Sequence, residues 1–253
     1  MRNFKLTLSY DGTGFKGWQT QPRGRTVQDT LETAIAAVTA VRPNANASGR
    51  TDSGVHAVGQ VVNFHAESNL TASQMLRAIN ANLPADVAVR ACEEALAEFD
   101  ANRDAVRKLY RYVIRDGHIP DPFLQKFHHH SRQILDASAM ARAASVLVGT
   151  HDFHSFETEW PNRASSVRTI AHLSVNRVGE MIWLDVEADG FLYNMVRAIA
   201  GTLMNVGRGF WPEGKVAEVL AAEDRSRAGP TAPACGLFLM RVKYGEPKEP
   251  LGV

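Results

Sequence analysis

The run Gly49-Arg50-Thr51-Asp52-Ser53-Gly54-Val55-His56-Ala57 sets a carboxylate between an arginine and a glycine, without the apolar periodicity of a helix or a strand. Tight loops at the mouth of a sheet are where rigid scaffolds present reactive groups. Asp52 is therefore the first candidate for chemistry. The bland alternative is an Asx-turn, with the carboxylate bonded to its own backbone near Gly54.

A second charge stands out by its isolation. Between Gly190 and Gly207 the only formally charged residue is Arg197, amid Met195, Val196, Ala198, Ile199 and Ala200. A guanidinium is costly to bury there unless a carboxylate or phosphate pairs with it. It either snorkels to solvent or meets a loop carboxylate. Asp52 is an attractive partner, since an adjacent cation keeps a carboxylate ionised and nucleophilic. Gly201, one turn on, is small enough to admit another backbone.

The segment from Arg103 to Tyr112 mixes basic residues with aromatics, a combination that suits a polyanion whose bases stack. Arg23, Arg25, Arg163, Arg168, Arg225 and Arg227 sit in other expected loops and widen such a surface. A solvated strand face explains Arg111 and Arg115 equally well. Tyr110 and Tyr112 share a strand face, and periodicity alone does not say which ring meets a ligand. Other motifs are weaker. His128-His129-His130 resembles a metal cluster, but consecutive residues of an extended chain point to opposite sides, and no partner has ligand spacing. The glycines of Asp11-Gly12-Thr13-Gly14 are half of a phosphate-binding loop without the rest of a fingerprint.

Positioning these groups requires elements that the pattern supplies. Phe4, Leu6, Leu8 and Tyr10 alternate as a half-buried strand. Thr26, with Asp29 three residues on, opens a helix striped by Leu31, Ala34, Ile35 and Val38. A strand around Val61–Phe64 follows, then a helix opened by Thr71 and Gln74 and stopped before Pro84. Strands are expected at Val87–Val89 and at Leu109–Ile114. Asp136 caps a helix through Val148, ended by Gly149. A hairpin crosses Val178-Gly179-Glu180, helices run from about Phe191 to Val206 and from Pro212, and Gly236–Lys243 closes the chain as a strand. These elements predict an α+β fold of two similar domains, residues 1–104 and 105–253. Each is a mixed, largely antiparallel sheet backed by helices.

The 253 residues suffice for one large or two small cores, and the net charge of +1 hides local basic clusters. No run approaches the roughly 18 apolar residues of a membrane span, and the N-terminus has no signal-peptide layout. Cys92 and Cys235, far apart, predict neither a disulfide framework nor a cysteine zinc site, which points to a reducing cytoplasm.

The chain resembles the bacterial tRNA pseudouridine synthase A family over nearly its whole length. The resemblance runs through Tyr10-Asp11-Gly12-Thr13-x-Phe15-x-Gly17-Trp18-Gln19, Arg25-Thr26-Val27-Gln28 and Arg50-Thr51-Asp52-x-Gly54-Val55-His56-Ala57. It continues through Lys108-Leu109-Tyr110-Arg111-Tyr112, His151-Asp152-Phe153-x-Ser155-Phe156, Val167-Arg168-Thr169-Ile170 and Met195-Val196-Arg197, and ends with Ala228-Gly229-Pro230-Thr231-Ala232-Pro233 before Gly236-Leu237. It implies an isomerase that converts uridines 38–40 of the tRNA anticodon stem-loop to pseudouridine, as a homodimer, without cofactor or metal. It further implies an active-site cleft between the two domains. By the same resemblance Asp52 is the catalytic aspartate and Tyr110 the tyrosine stacked on the target base. Arg197 pairs with the aspartate, and Arg50 helps hold the flipped nucleotide. The family's Phe-x-Ala-Arg-Phe pattern is altered here, because Asn102 moves the arginine to Arg103.

Sequence does not choose among attack of Asp52 on C1′, attack on C6, and deprotonation of the sugar. Two other functions fit less well. A non-catalytic RNA-binding module would not need Asp52 and Arg197. A base-excising glycosidase generally uses two carboxylates, and no second one sits in a motif.

Overall fold

The computed structural model describes residues 1–158 and 165–245, so Arg163 lies outside the described residues. The chain forms two compact units. One comprises Met1–Val106 and the chain from Leu239 on; the other comprises Arg107–Phe238.

In the first unit, β1 (Arg2–Tyr10) pairs antiparallel with β3 (His56–Ala66) and β4 (Val87–Ala95), and the short β2 (Asn46–Ala47) adds to β3. Phe4 lies opposite Phe64 and Leu6 opposite Val62, which sets the buried rows of the two strands in register. The Phe4 and Phe64 rings stack at 5.5 Å. Helix α1 (Val27–Thr39) begins where Thr26 accepts from the Asp29 N–H. The box is not reciprocal, because the Asp29 carboxylate turns to Arg42 instead. Helix α2 (Ala72–Asn82) carries the full capping box of Thr71 and Gln74, worth about 1 kcal/mol. Leu31, Ile35, Met75 and Ile79 complete this core.

In the second unit, β5 (Ala105–Asp116, of which the first two residues belong to the other unit) pairs antiparallel with β9 (Met181–Ala188) and parallel with β6 (His129–Ser131). Strand β8 (Val167–Val178) joins β9 through the expected hairpin, and β7 (Gly149–Asp152) edges β8. Ile114, Ile170, Ile182, Leu184 and Val186 are buried, with Ile199 and Leu203 of α4 (Met195–Gly207). Strand β10 (Leu237–Tyr244) begins in this unit and returns to the first, beside β3. Largely antiparallel strands with five α-helices among the described residues make the α+β class expected.

Three helix limits differ from the pattern. Helix α3 (Ala137–Ala144) stops early and tightens into a 3-10 turn over Ser145–Leu147, and Gly149 at φ +111° starts β7. Helix α4 starts four residues later than predicted, because Asn194 adopts a left-handed φ of +62°. Helix α5 (Lys215–Ala222) starts three residues beyond Pro212, whose carbonyl accepts from the Lys215 N–H in a preceding turn.

Candidate active site

The Asp52 loop enters β3 at His56 and is gripped by the segment that leaves β1. The Trp18 N–H donates to the Thr51 carbonyl at 2.9 Å. The Tyr10 and Thr51 hydroxyls share a bond of 2.8 Å. Ser53 Oγ donates to the Phe15 carbonyl at 3.1 Å. The Gly12 N–H donates to His56 Nδ1 at 3.0 Å, and Asp11 Oδ1 lies 3.3 Å from the same nitrogen. Burial pushes the Tyr10 phenol up to about 12, which keeps it a neutral hydroxyl. The turn Asp52–Val55 is closed by main chain, from the Val55 N–H to the Asp52 carbonyl at 3.1 Å, with Gly54 at φ +79°. Asp52 is half-buried, and Arg50 on the same loop is exposed.

Gly12 makes this grip possible. A Cβ there would stand 2.0 Å from the Val55 carbonyl oxygen. The pattern Asp11-Gly12-Thr13-Gly14 is thus a 3-10 turn capped by Asp11 and pressed on the Asp52 loop, rather than half of a phosphate loop. Neither Gly12 nor His56 stood out as a site residue in the sequence. The available signal was a second glycine-rich turn placed directly after a strand.

The second unit holds Tyr110 and Arg197. Tyr110 keeps 8 % exposure, and its ring meets Phe191 edge-on at 5.0 Å. Tyr112, in the same row of β5, is wholly buried and donates to the Pro233 carbonyl at 2.8 Å. That separates the two tyrosines: Tyr112 belongs to the core. Burial drives the Tyr112 phenol well above its usual value, against the pull of the Arg197 charge.

Arg197 is half-buried and rigidly held. Its Nε donates to the Ala232 carbonyl at 2.7 Å and its Nη1 to Asn194 Oδ1 at 2.8 Å. The left-handed Asn194 is what turns that amide toward the helix's first turn. Gly201 does admit a backbone, since a Cβ there would stand 1.7 Å from the Pro230 carbonyl oxygen.

Several basic residues prove to be occupied. Arg111 grips Asp185 through two bonds of 2.7 and 2.8 Å and lies over the Trp183 ring. Arg115 meets Glu180, Arg25 meets Asp86, and Arg103 meets Asp104. Arg225 bonds the Gly229 carbonyl and Thr231 Oγ1. The histidine run straddles the start of β6. His130 Nε2 lies 2.7 Å from the Gly117 carbonyl oxygen, and burial, reinforced by Arg208, lowers His129 to about 4. No described helix is long and apolar enough to cross a membrane.

A family model described as tRNA pseudouridine synthase matches residues 7–103 and 143–245. A tRNA pseudouridine synthase A from Acetivibrio thermocellus is 42% identical over 244 residues, covering 96% of this chain and 100% of its own. The enzyme of that name from Moorella thermoacetica is 44% identical over 242 residues, covering 95% and 98%. Among solved structures, a Cbf5–Nop10–Gar1 complex shares 11% identity at a TM-score of 0.39, over 93% of this chain and 48% of that one. That likeness is too slight to support any inference.

Proposed function

Because the chain belongs to the tRNA pseudouridine synthase family, we propose that it isomerises uridines 38–40 of the tRNA anticodon stem-loop, with Asp52 as its catalytic residue. The observation that carries this reading is the match to relatives of one name across nearly the full length of both chains.

The reaction breaks the N1–C1′ bond of uridine, turns the base, and joins C5 to C1′. The C5 proton leaves and N1 gains one, so atoms balance without a co-reactant. Asp52 drives the detachment of uracil from ribose, the hard step. Arg197 supplies the cation that keeps Asp52 ionised. The two bonds from Ala232 and Asn194 support that role, because a guanidinium held from one side keeps a fixed direction. Tyr110 stacks on the target base; its ring is buried edge-on against Phe191 without being as fully enclosed as Tyr112, which supports that reading. Arg50, exposed on the Asp52 loop, holds the extruded nucleotide. Extrusion from a stem costs a few kcal/mol, which stacking and phosphate contacts offset. The enzyme acts as a homodimer in the cytoplasm.

The test is release of tritium from tRNA carrying 5-tritiated uridine, followed by mapping of the converted positions. Release at 38–40 is expected. Binding without release would leave an RNA-binding module, and free uracil among the products would mean a glycosidase.

A further inference from the structure

Strand β5 carries four cations, at Arg107, Lys108, Arg111 and Arg115. Three of them meet carboxylates: Arg107 with Glu187 at 3.8 Å, Arg111 with Asp185 at 2.7 Å, and Arg115 with Glu180 at 2.8 Å. These three occupy odd positions and share one face of the strand. Lys108 falls on the other face, in the row of Tyr110, Tyr112 and Ile114. Among the described residues no hydrogen bond or ion pair holds its ammonium. Burial alone acts on its pKa, downward, with no neighbouring anion to oppose it.

A half-buried ammonium without a counter-ion costs free energy. The surroundings leave room for an anion beside the ammonium. Lys108 lies across the ladder from Ala188, whose methyl takes little room, and the chain then runs through Gly190 to Phe191, the ring against Tyr110. The carboxylate nearest in register, Glu187, is taken by Arg107. Along one face of a strand, positions two apart are about 6.6–6.8 Å apart, the scale of one nucleotide from base to phosphate.

We infer that Lys108 is an anion site for the RNA backbone: its ammonium binds a phosphate of, or next to, the nucleotide whose base meets Tyr110. This rests on the reading of Tyr110 as the base-stacking residue. The ion pairs of the odd face are structural, whereas Lys108, the one cation that β5 itself carries in the tyrosine row, acquires its partner only when RNA binds. Phosphate contacts of this kind set position and affinity rather than base identity.

The experiment measures the affinity of unmodified tRNA transcript for the wild-type protein, Lys108→Met and Lys108→Arg across a series of salt concentrations. Lys108→Met is expected to lower the slope of log affinity against log salt by about one contact, with binding about tenfold weaker at 0.1 M salt. Lys108→Arg is expected to keep the wild-type slope. An unchanged slope in Lys108→Met, or a kcat defect with affinity intact, would overturn the proposal. Acylation of the wild-type protein with an activated acetate ester, read by peptide mass spectrometry, provides a check that needs no variant. Lys108 is expected to label readily in the free protein and to be protected by tRNA; equal labelling in both states refutes the site. A wild-type protein that binds no tRNA would defeat the functional reading itself, while binding with an unchanged variant slope would defeat only Lys108.

Discussion

The Asp52 loop and the Arg197 helix are held by different means. The loop has little apolar content and is fixed as a stretch of chain, by main-chain bonds at Thr51, Gly54 and Val55 and by the side chains of Thr51, Ser53 and His56 against the Tyr10–Trp18 segment. Arg197 rides on a helix almost wholly buried and is fixed by its own side chain, between Ala232 and Asn194. A short carboxylate has few torsions, so placing its backbone places the group. A guanidinium has four, so each end must be tied down separately. The loop should therefore tolerate changes in what its side chains pack against, provided the main chain stays put. The helix should tolerate changes along its stem far less.

The largest expected effect is chemical. Asp52→Asn keeps the shape of the side chain and removes its charge, so tritium release should vanish while tRNA binding largely persists. Retained release would end the assignment of Asp52. Next, Arg197→Met should lower kcat by about a hundredfold, the scale of a misplaced catalytic group, and change affinity less. A normal rate would show that Asp52 needs no cation from this helix.

A pair of glycine substitutions tests the contrast directly. Gly12→Ala and Gly201→Ala each drive a Cβ to 2.0 and 1.7 Å from a carbonyl oxygen. Each should cost about 3 kcal/mol in denaturant unfolding. Gly12→Ala should in addition lose activity at temperatures where the chain is still folded, because the Asp52 main chain must move. Equal loss of activity in both folded variants would erase the distinction between a backbone-held and a side-chain-held group.

The smallest effect concerns acid. His129, lowered to about 4 by burial and then by Arg208, is neutral in the folded chain where an unfolded histidine already protonates. Its contribution to stability is complete above about pH 6.5 and is lost as pH falls toward 4. Thermal melts of wild type and His129→Gln should therefore show the wild type losing ground over that window. A constant difference in melting temperature would mean that the second unit's frame is not what acid attacks.

The sequence made much of this legible, and its gaps have physical causes. Strands β1, β5 and β9 and the cap at Thr71 follow local rules, namely alternation and a box closed within four residues. The late start of α4 depends on a left-handed Asn194, a conformation its residue type permits but does not announce. The short strands β2, β6 and β7 owe their existence to neighbours far away in the chain, and two to four residues carry no period. Asp52 and Arg197 stood out because each is a charge out of keeping with its surroundings. Gly12 did not, because its importance lies in the carbonyl of Val55, more than forty positions on.

The path of β10 carries one more consequence. From Leu239 onward this strand lies beside β3, the strand that leads out of the Asp52 loop, and it lies so close that a Cβ on Gly59 would stand 2.4 Å from the Met240 carbonyl oxygen. During synthesis the ribosome delivers that neighbour only after the whole second unit. Until then the β3 edge has open donors and acceptors, the situation in which strands recruit wrong partners. The unit whose translation begins first is thus finished only at the end, and a nascent chain arrested before Leu239 would already contain the Asp52 loop while β3 still lacked its last neighbour.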